Sequence, residues 1–207
     1  ERDIFIINRN DSAGLVNSRG EMVLDFSAIR LAAGNGYWIA TKDGKKAMIN
    51  AEGKLVTDYK YKQINASKDL EGFTIYYANR KEGLMDLNGN ELTPPIYDDL
   101  RPLIDGHICA YINLNDSRMH GCLNSKGEIT IPLEYSNEVR FYEGLAFVEK
   151  NNKCGFINEQ NEVVIDFRFD YSSDVRFEDG WAKVKLNGKY VLVDREGNTL
   201  ETKAIDK

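Results

Sequence analysis

The chain has 207 residues, 42% of them hydrophobic and 29% charged, a composition ordinary for a folded soluble protein and too apolar for long disorder. Its net charge of −6 argues against a nucleic-acid or anionic-membrane surface, because phosphates demand a basic face. No run approaches the roughly 18 apolar residues of a membrane span, and no signal-peptide pattern follows Glu1, so any targeting segment is invisible.

One short pattern recurs six times: Asn or Asp, two variable residues, then Gly or Asn. In chain order it reads Asn17-Ser-Arg-Gly20, Asn50-Ala-Glu-Gly53, Asp86-Leu-Asn-Gly89, Asn124-Ser-Lys-Gly127, Asn158-Glu-Gln-Asn161 and Asp194-Arg-Glu-Gly197, with spacings of 33, 36, 38, 34 and 36. Asn or Asp suits the first position of a type I turn, and Gly or Asn accepts the left-handed conformation after it. A second turn precedes each copy, centred on Asn10-Asp11, Asp43-Gly44, Asn79-Arg80, Asn115-Asp116, Asn151-Asn152 and Asn187-Gly188. Asn-Gly and Asp-Gly are strong two-residue hairpin signals. Each unit therefore reads as strand A, tight turn, strand B, tight turn, strand C. In the fifth unit these fall at about 145–150, 153–158 and 162–169. Strand C often ends in an aromatic: Tyr61, Tyr97, Tyr135 and Phe169, with Ala28 and Ile205 in the outer units. The repeats run approximately 3–30, 36–66, 72–101, 106–138, 144–173 and 180–207, in phase with the chain from Asp3 onward, and 1–207 reads as a single repeat domain.

These residues resemble the bacterial WG, or KWG, repeat family. The matches are Asn152-Lys-Cys-Gly-Phe-Ile-Asn158, Ile131-Pro-Leu-Glu-Tyr135, Pro94-Pro-Ile-Tyr-Asp98 and Phe141-Tyr-Glu-Gly-Leu-Ala-Phe-Val148. The eponymous Trp is replaced throughout, by Ala13, Lys46, Glu82, His120, Cys154 and Tyr190. The following Gly survives as Gly14, Gly83, Gly121 and Gly155 but becomes Ala47 and Val191. The resemblance implies a repeat scaffold and transfers no catalytic residues.

The two-residue turn sets the register, with Val148 opposite Gly155 and Phe147 opposite Phe156. One face then carries Ala146, Val148, Gly155 and Ile157 and is almost wholly apolar across the units. The other has its own apolar centre in Ile6–Leu15, Ile39–Met48, Ile75–Leu84, Cys109–Cys122 and Phe147–Phe156. A sheet apolar on both faces must be covered twice, and without helices only neighbouring units can do it. The fold class expected is all-β, with six three-stranded antiparallel meander repeats stacked as a propeller-like or open superhelical β-repeat array. In the last unit Lys183–Leu192 puts a lysine in the apolar column, so that face should meet solvent, which favours the open array over a closed ring.

The fourth unit holds both histidines and two of the three cysteines, in His107-Ile-Cys109 and His120-Gly-Cys122. Register sets Cys109 opposite Cys122. Two buried free thiols are the leading reading, a cross-strand disulfide Cys109–Cys122 the second. His107 and His120 lie on opposite sides of the pair along the strands, a spread poorly suited to tetrahedral zinc. Turn chemistry accounts for the recurrent Asn and Asp without calcium, and adjacent carboxylates such as Asp98-Asp99 point to opposite faces of a strand. No metal, cofactor or catalytic motif is expected. An aromatic row of Tyr37, Phe73, Tyr77, Tyr111 and Trp181 marks a candidate binding margin, although packing between units accounts for it as well. The expectation is a non-catalytic interaction or scaffold module binding a protein partner, the alternative a glycan-binding cell-surface module. Neither nucleic acid nor membrane insertion is expected. The compartment stays open, with an exported or cell-envelope setting slightly favoured.

Overall fold

The computed structural model describes residues 4–10, 12–28, 30–33, 36–65, 72–102 and 106–201; Asp3, Asp11, Ile205 and the repeat ends at 66 and 202–207 lie outside them. Among the described residues the protein is all-β, without a helix, and its strands form small antiparallel sheets. The A strands are Ile4–Arg9, Tyr37–Lys42, Phe73–Ala78, Ile108–Leu114, Leu145–Lys150 and Trp181–Leu186, each paired with the following B strand. The repeats fall into two compact units, residues 1–100 with 125–127, and residues 101–124 with 128–207.

The A–B turns are of the primed type that matches strand twist. From the second repeat on, both central residues take positive φ, as at Asn151 (55°) and Asn152 (61°), and even Arg80 adopts 65°. Register follows: Val148 faces Gly155, Phe147 faces Phe156, and Cys109 faces Cys122. The hairpin of the fourth repeat is longer, adding Asn113↔Arg118 and Leu114↔Ser117 at its tip.

The B–C turns carry a side-chain lock. The Asn or Asp side-chain oxygen accepts backbone N–H groups two and four residues on, as Asn158 does from Gln160 (3.1 Å) and Glu162 (2.8 Å). In five of the six turns, the exception being Asn50 with Lys54, the residue four positions on then closes the turn with complementary polarity. Asn17, Asn124 and Asn158 each donate Nδ2–H to Glu21, Glu128 and Glu162 at 2.7 Å. Where the first residue is an acid the roles exchange: Asn90 donates to Asp86 at 2.7 Å and Asn198 to Asp194 at 2.9 Å.

Two features depart from a plain three-stranded meander. The linkers contribute a short outer strand pairing antiparallel with strand A, namely Arg30–Ala33, Gln63–Ile64, Asp99–Pro102, Phe141–Tyr142 and Phe177–Glu178. The turns Glu143-Gly144 (51°, 77°) and Asp179-Gly180 (53°, 79°) are themselves primed hairpin turns. In the second and third repeats strand C is reduced to isolated bridges such as Lys46↔Tyr61 and Glu82↔Tyr97. There the hydroxyls of Thr57 and Thr93 accept the Met48 and Leu84 N–H groups in place of a ladder. Pro94 and Pro95 also lack the N–H that a ladder needs.

The glycine of strand B sits beneath strand C where that strand shifts register. A Cβ on Gly155 would lie 2.6 Å from the Ile165 carbonyl oxygen and 3.0 Å from the Phe167 nitrogen. The sixth repeat has Val191 there, and its strand C pairs in unbroken register, Val191↔Glu201, Leu192↔Leu200 and Val193↔Thr199.

Within each unit, consecutive repeats stack face to face. In the first unit Leu15 packs with Ala40 and Ile49, and Ile39 and Met48 pack with Tyr76 and Met85. In the second, Cys122 and Ile131 pack with Ala146, Val148 and Ile157. Phe147, Phe156 and Phe169 pack with Ala182, Val184 and Val193. The B–C turn of one repeat rests on strand C of the one before: Gly53 on Val23, Gly89 on Val56 and Thr57, and Gly197 on Ile165. As the lysine in its column implies, the outer face of the sixth repeat meets solvent: Lys183 and Trp181 are exposed.

Two outcomes follow. Asn158→Asp sets two carboxylates against each other and should destabilise by roughly 0.5–1.5 kcal/mol, the worth of one net hydrogen bond. Asn158→Asp with Glu162→Asn rebuilds the Asp–Asn pair of the sixth repeat and should recover most of the loss in urea unfolding. Gly155→Ala should cost about 1–3 kcal/mol by overpacking against strand C, read as a lowered urea midpoint at unchanged slope.

Candidate binding clefts

The aromatic margin does not form a continuous row. Tyr37 and Phe73 are buried. The Tyr37 hydroxyl donates to the Asn65 carbonyl at 2.6 Å and lies 3.3 Å from Thr74 Oγ1, and burial pushes its pKa up. Tyr77 is half-buried in the first unit, with the Lys62 ammonium 5.7 Å from its ring centroid. In the second unit Tyr111 is half-buried between His120 (ring centroids 5.3 Å apart) and the Arg118 guanidinium (5.0 Å). Trp181 stands on the solvent face of the sixth repeat, beside Lys183 and Leu192.

In the fourth repeat the two thiols share the Val139 carbonyl and the two histidines pack elsewhere. Cys109 and Cys122 are buried free thiols with no disulfide between them, and Cys109 donates to the Val139 carbonyl at 2.9 Å. His107 packs on Phe141 at 4.8 Å between ring centroids, and His120 on Tyr111. No group of three or more His, Cys, Asp or Glu side chains is placed to hold a metal among the described residues. Burial pushes the Cys154 thiol up to about 12, leaving it a poor nucleophile.

Two clefts open instead beside the linkers, one in each unit. In the second unit a cleft of about 330 Å³ lies between residues 137–142 and 171–176. Asn137 pins the first linker to strand A, donating to the Phe147 carbonyl at 2.9 Å and accepting the Glu149 N–H at 2.5 Å. Val175 anchors the second in the apolar cluster below, and Asp174 turns it with φ of 60°. This leaves Tyr142 and Tyr171 at the rim, 37% and 55% exposed. Arg176 sits 6.0 Å over the Tyr142 ring. Arg140 is held by Glu138 at 2.9 Å, which also receives Arg101 at 3.1 Å.

The cleft of the first unit measures about 370 Å³ and is bounded by Lys62, Gln63, Tyr76, Tyr77, Glu82 and Leu100. The Glu82 carboxylate accepts the Leu100 N–H at 2.7 Å, and burial pushes its pKa up. The Tyr76 side chain points to the opposite face from Tyr77 and is buried in the core, its hydroxyl 2.9 Å from both Glu91 and the Thr93 carbonyl. Burial alone would raise Glu91, but hydrogen bonds from Tyr61, Tyr76 and Lys60 hold it below its ordinary range. Neither cleft is legible in one dimension, since each joins two linkers some 35 residues apart in sequence. The one available signal was the change of residue at the former Trp position, which places Glu82 in a cleft wall.

No curated protein matches the chain. Solved structures similar to it include Hsv2p of Kluyveromyces lactis, at 10% identity over 99% of this chain and 81% of that one, with a TM-score of 0.38. PorZ of Porphyromonas gingivalis, described as a bacterial surface component of the type-IX secretion system, shows 13% identity over 97% of this chain and 31% of its own, with a TM-score of 0.37. The extracellular domain of BT4673 from B. thetaiotaomicron shows 11% identity over 98% and 37%, with a TM-score of 0.38. The chain thus spans about a third of each of these two bacterial proteins. The model of the WG containing repeat matches residues 83–116, 121–154 and 155–190, three consecutive copies amounting to half of the chain. With the hairpin register, the glycine under strand C and the linker strands recurring in the same order, the chain belongs to the WG repeat family.

Proposed function

We propose that the chain is a non-catalytic interaction module that binds a protein partner through the cleft of its second unit. The observation that carries this is the pairing of two exposed tyrosines, Tyr142 and Tyr171, with Arg140 and Arg176 around one concavity. Tyrosine and arginine dominate binding hot spots because they bring large contact area and directed hydrogen bonds at modest entropic cost. Arg140 is already held by Glu138 and so loses little freedom on binding. The raised Cys154 thiol and the stacked histidines favour a role without chemistry. The net charge of −6 disfavours a phosphate backbone as the ligand. A glycan platform loses its support with the burial of Tyr37 and Phe73.

The test is affinity capture with the whole chain, followed by titration of the captured protein against variants. Tyr171→Ala combined with Arg176→Glu should weaken binding by about 30-fold or more, the scale of one hot-spot loss, with the melting temperature unchanged. Glu159→Ala, on an exposed turn, should bind as the parent does. Equal affinity of the parent and the double variant would remove this cleft from the interface.

A further inference from the structure

The cleft of the first unit has a different chemistry. At the strand B position that holds Ala13, Lys46, His120, Cys154 and Tyr190 in the other repeats, the third repeat alone has an acid, Glu82. Its backbone pairs with Tyr77 on one side and Tyr97 on the other, so the carboxylate stands between aromatic neighbours. It is half-buried. One oxygen, Oε2, accepts the Leu100 N–H at 2.7 Å, and the group makes no ion pair among the described residues. A carboxylate accepts about four hydrogen bonds when satisfied, and a partly desolvated anion without a cation is costly. Burial and the nearby Asp99 both raise its pKa, which a bound cation would reverse.

The rest of the cleft suits a cation with a hydrocarbon stem. Ile75 and Tyr77, two residues apart on one face of the strand, line it, and aromatic faces attract ammonium and guanidinium groups. Lys62 shows this attraction already, its ammonium 5.7 Å from the centroid of the Tyr77 ring, yet it is exposed and makes no bond to Glu82. About 370 Å³ is room for one long side chain.

We infer that the Glu82 cleft is a binding site for a single organic cation, the ammonium or guanidinium end of a lysine or arginine side chain presented by a peptide. Glu82 is the counter-ion, the Tyr77 ring and Ile75 form the wall, and the Leu100 N–H holds the carboxylate in place. This site is independent of the Tyr142–Tyr171 cleft and does not rest on it.

The experiment is an amide chemical-shift titration of the whole chain with four probes: N-acetyl-arginine methylamide, N-acetyl-lysine methylamide, the uncharged N-acetyl-citrulline methylamide, and putrescine as a free amine. The expected result is saturable shifts at Gln63, Tyr77 and Leu100 with the arginine or lysine probe, in the millimolar range, and none with citrulline. Glu82→Gln keeps an acceptor for Leu100 but loses the charge, and should weaken binding by about tenfold or more, as charge-assisted bonds imply, at an unchanged melting temperature. Tyr77→Leu, which leaves Glu82 in place, should weaken it several-fold and serves if Glu82→Gln does not fold. Shifts that fail to saturate, or that both variants leave unchanged, overturn the site. A response to putrescine alone overturns the side-chain source.

Discussion

Everything in this fold depends on hydrocarbon that one small sheet cannot cover by itself. On strand B of the fifth repeat, Phe156 and Ile157 are neighbours in sequence, point to opposite faces and are both fully buried. Phe156 is covered by the sixth repeat and Ile157 by the fourth. Each such side chain contributes roughly 1.5–3 kcal/mol when removed from water, and a hairpin of this size has no other means of ordering itself. Stability is therefore a property of adjacent pairs. The burial of Ile39 and Met48 against Tyr76 and Met85 repeats the same exchange in the first unit.

Given that demand, turn chemistry decides which residues meet it. A slip of one residue would exchange the Phe147–Phe156 face for the Ala146–Ile157 face. The primed A–B turns and the locked B–C turns prevent this from both ends of strand B. The exchange of Asn–Glu for Asp–Asn pairs shows that five of these turns use one donor against one acceptor rather than a particular residue, while the turn at Asn50 keeps the side-chain oxygen on the two N–H groups. The glycine under strand C obeys the same logic. It is needed where strand C shifts register and crosses close overhead, as at Gly121 and Gly155, and is dispensable where strand C runs straight, as at Val191.

Local chemistry made the hairpins, their register, the two-faced apolar pattern and the solvent face marked by Lys183 readable from the residues alone. The short outer strand was also encoded, in Asp179-Gly180 and Glu143-Gly144, but its two-residue length hid it within a linker. The fate of the aromatic margin was not encoded locally. Tyr37 is interior because the Asn65 carbonyl, just past the linker strand, and Thr74, on the next strand A, receive its hydroxyl. Trp181 is at the surface because Ala182 and Val184, on the opposite face of its strand, are the residues that pack on the fifth repeat. Aromatic residues at one repeat position thus have opposite exposures, and only the neighbours decide which.

The clefts lie where the demand for stacking ends. Positions facing an adjacent repeat hold Ala, Val, Ile, Leu, Met and Phe, or a Tyr whose hydroxyl finds a partner as Tyr76 does, because a polar atom buried there without one is costly. The linkers are tied down only at intervals, by Asn137 and Val175 in one unit and by the pairing of Gln63 with Tyr77 in the other. Between those anchors, side chains such as Tyr171 and Arg176 serve no packing requirement. The former Trp position varies as well: Ala13 and Cys154 are buried there and Lys46, Glu82, His120 and Tyr190 are not, while the hairpin beneath keeps its register. A scaffold whose stability is confined to its stacking faces leaves its linker margins free to change charge and shape, and in this chain those are the places where a charged or aromatic group stands beside an open cavity.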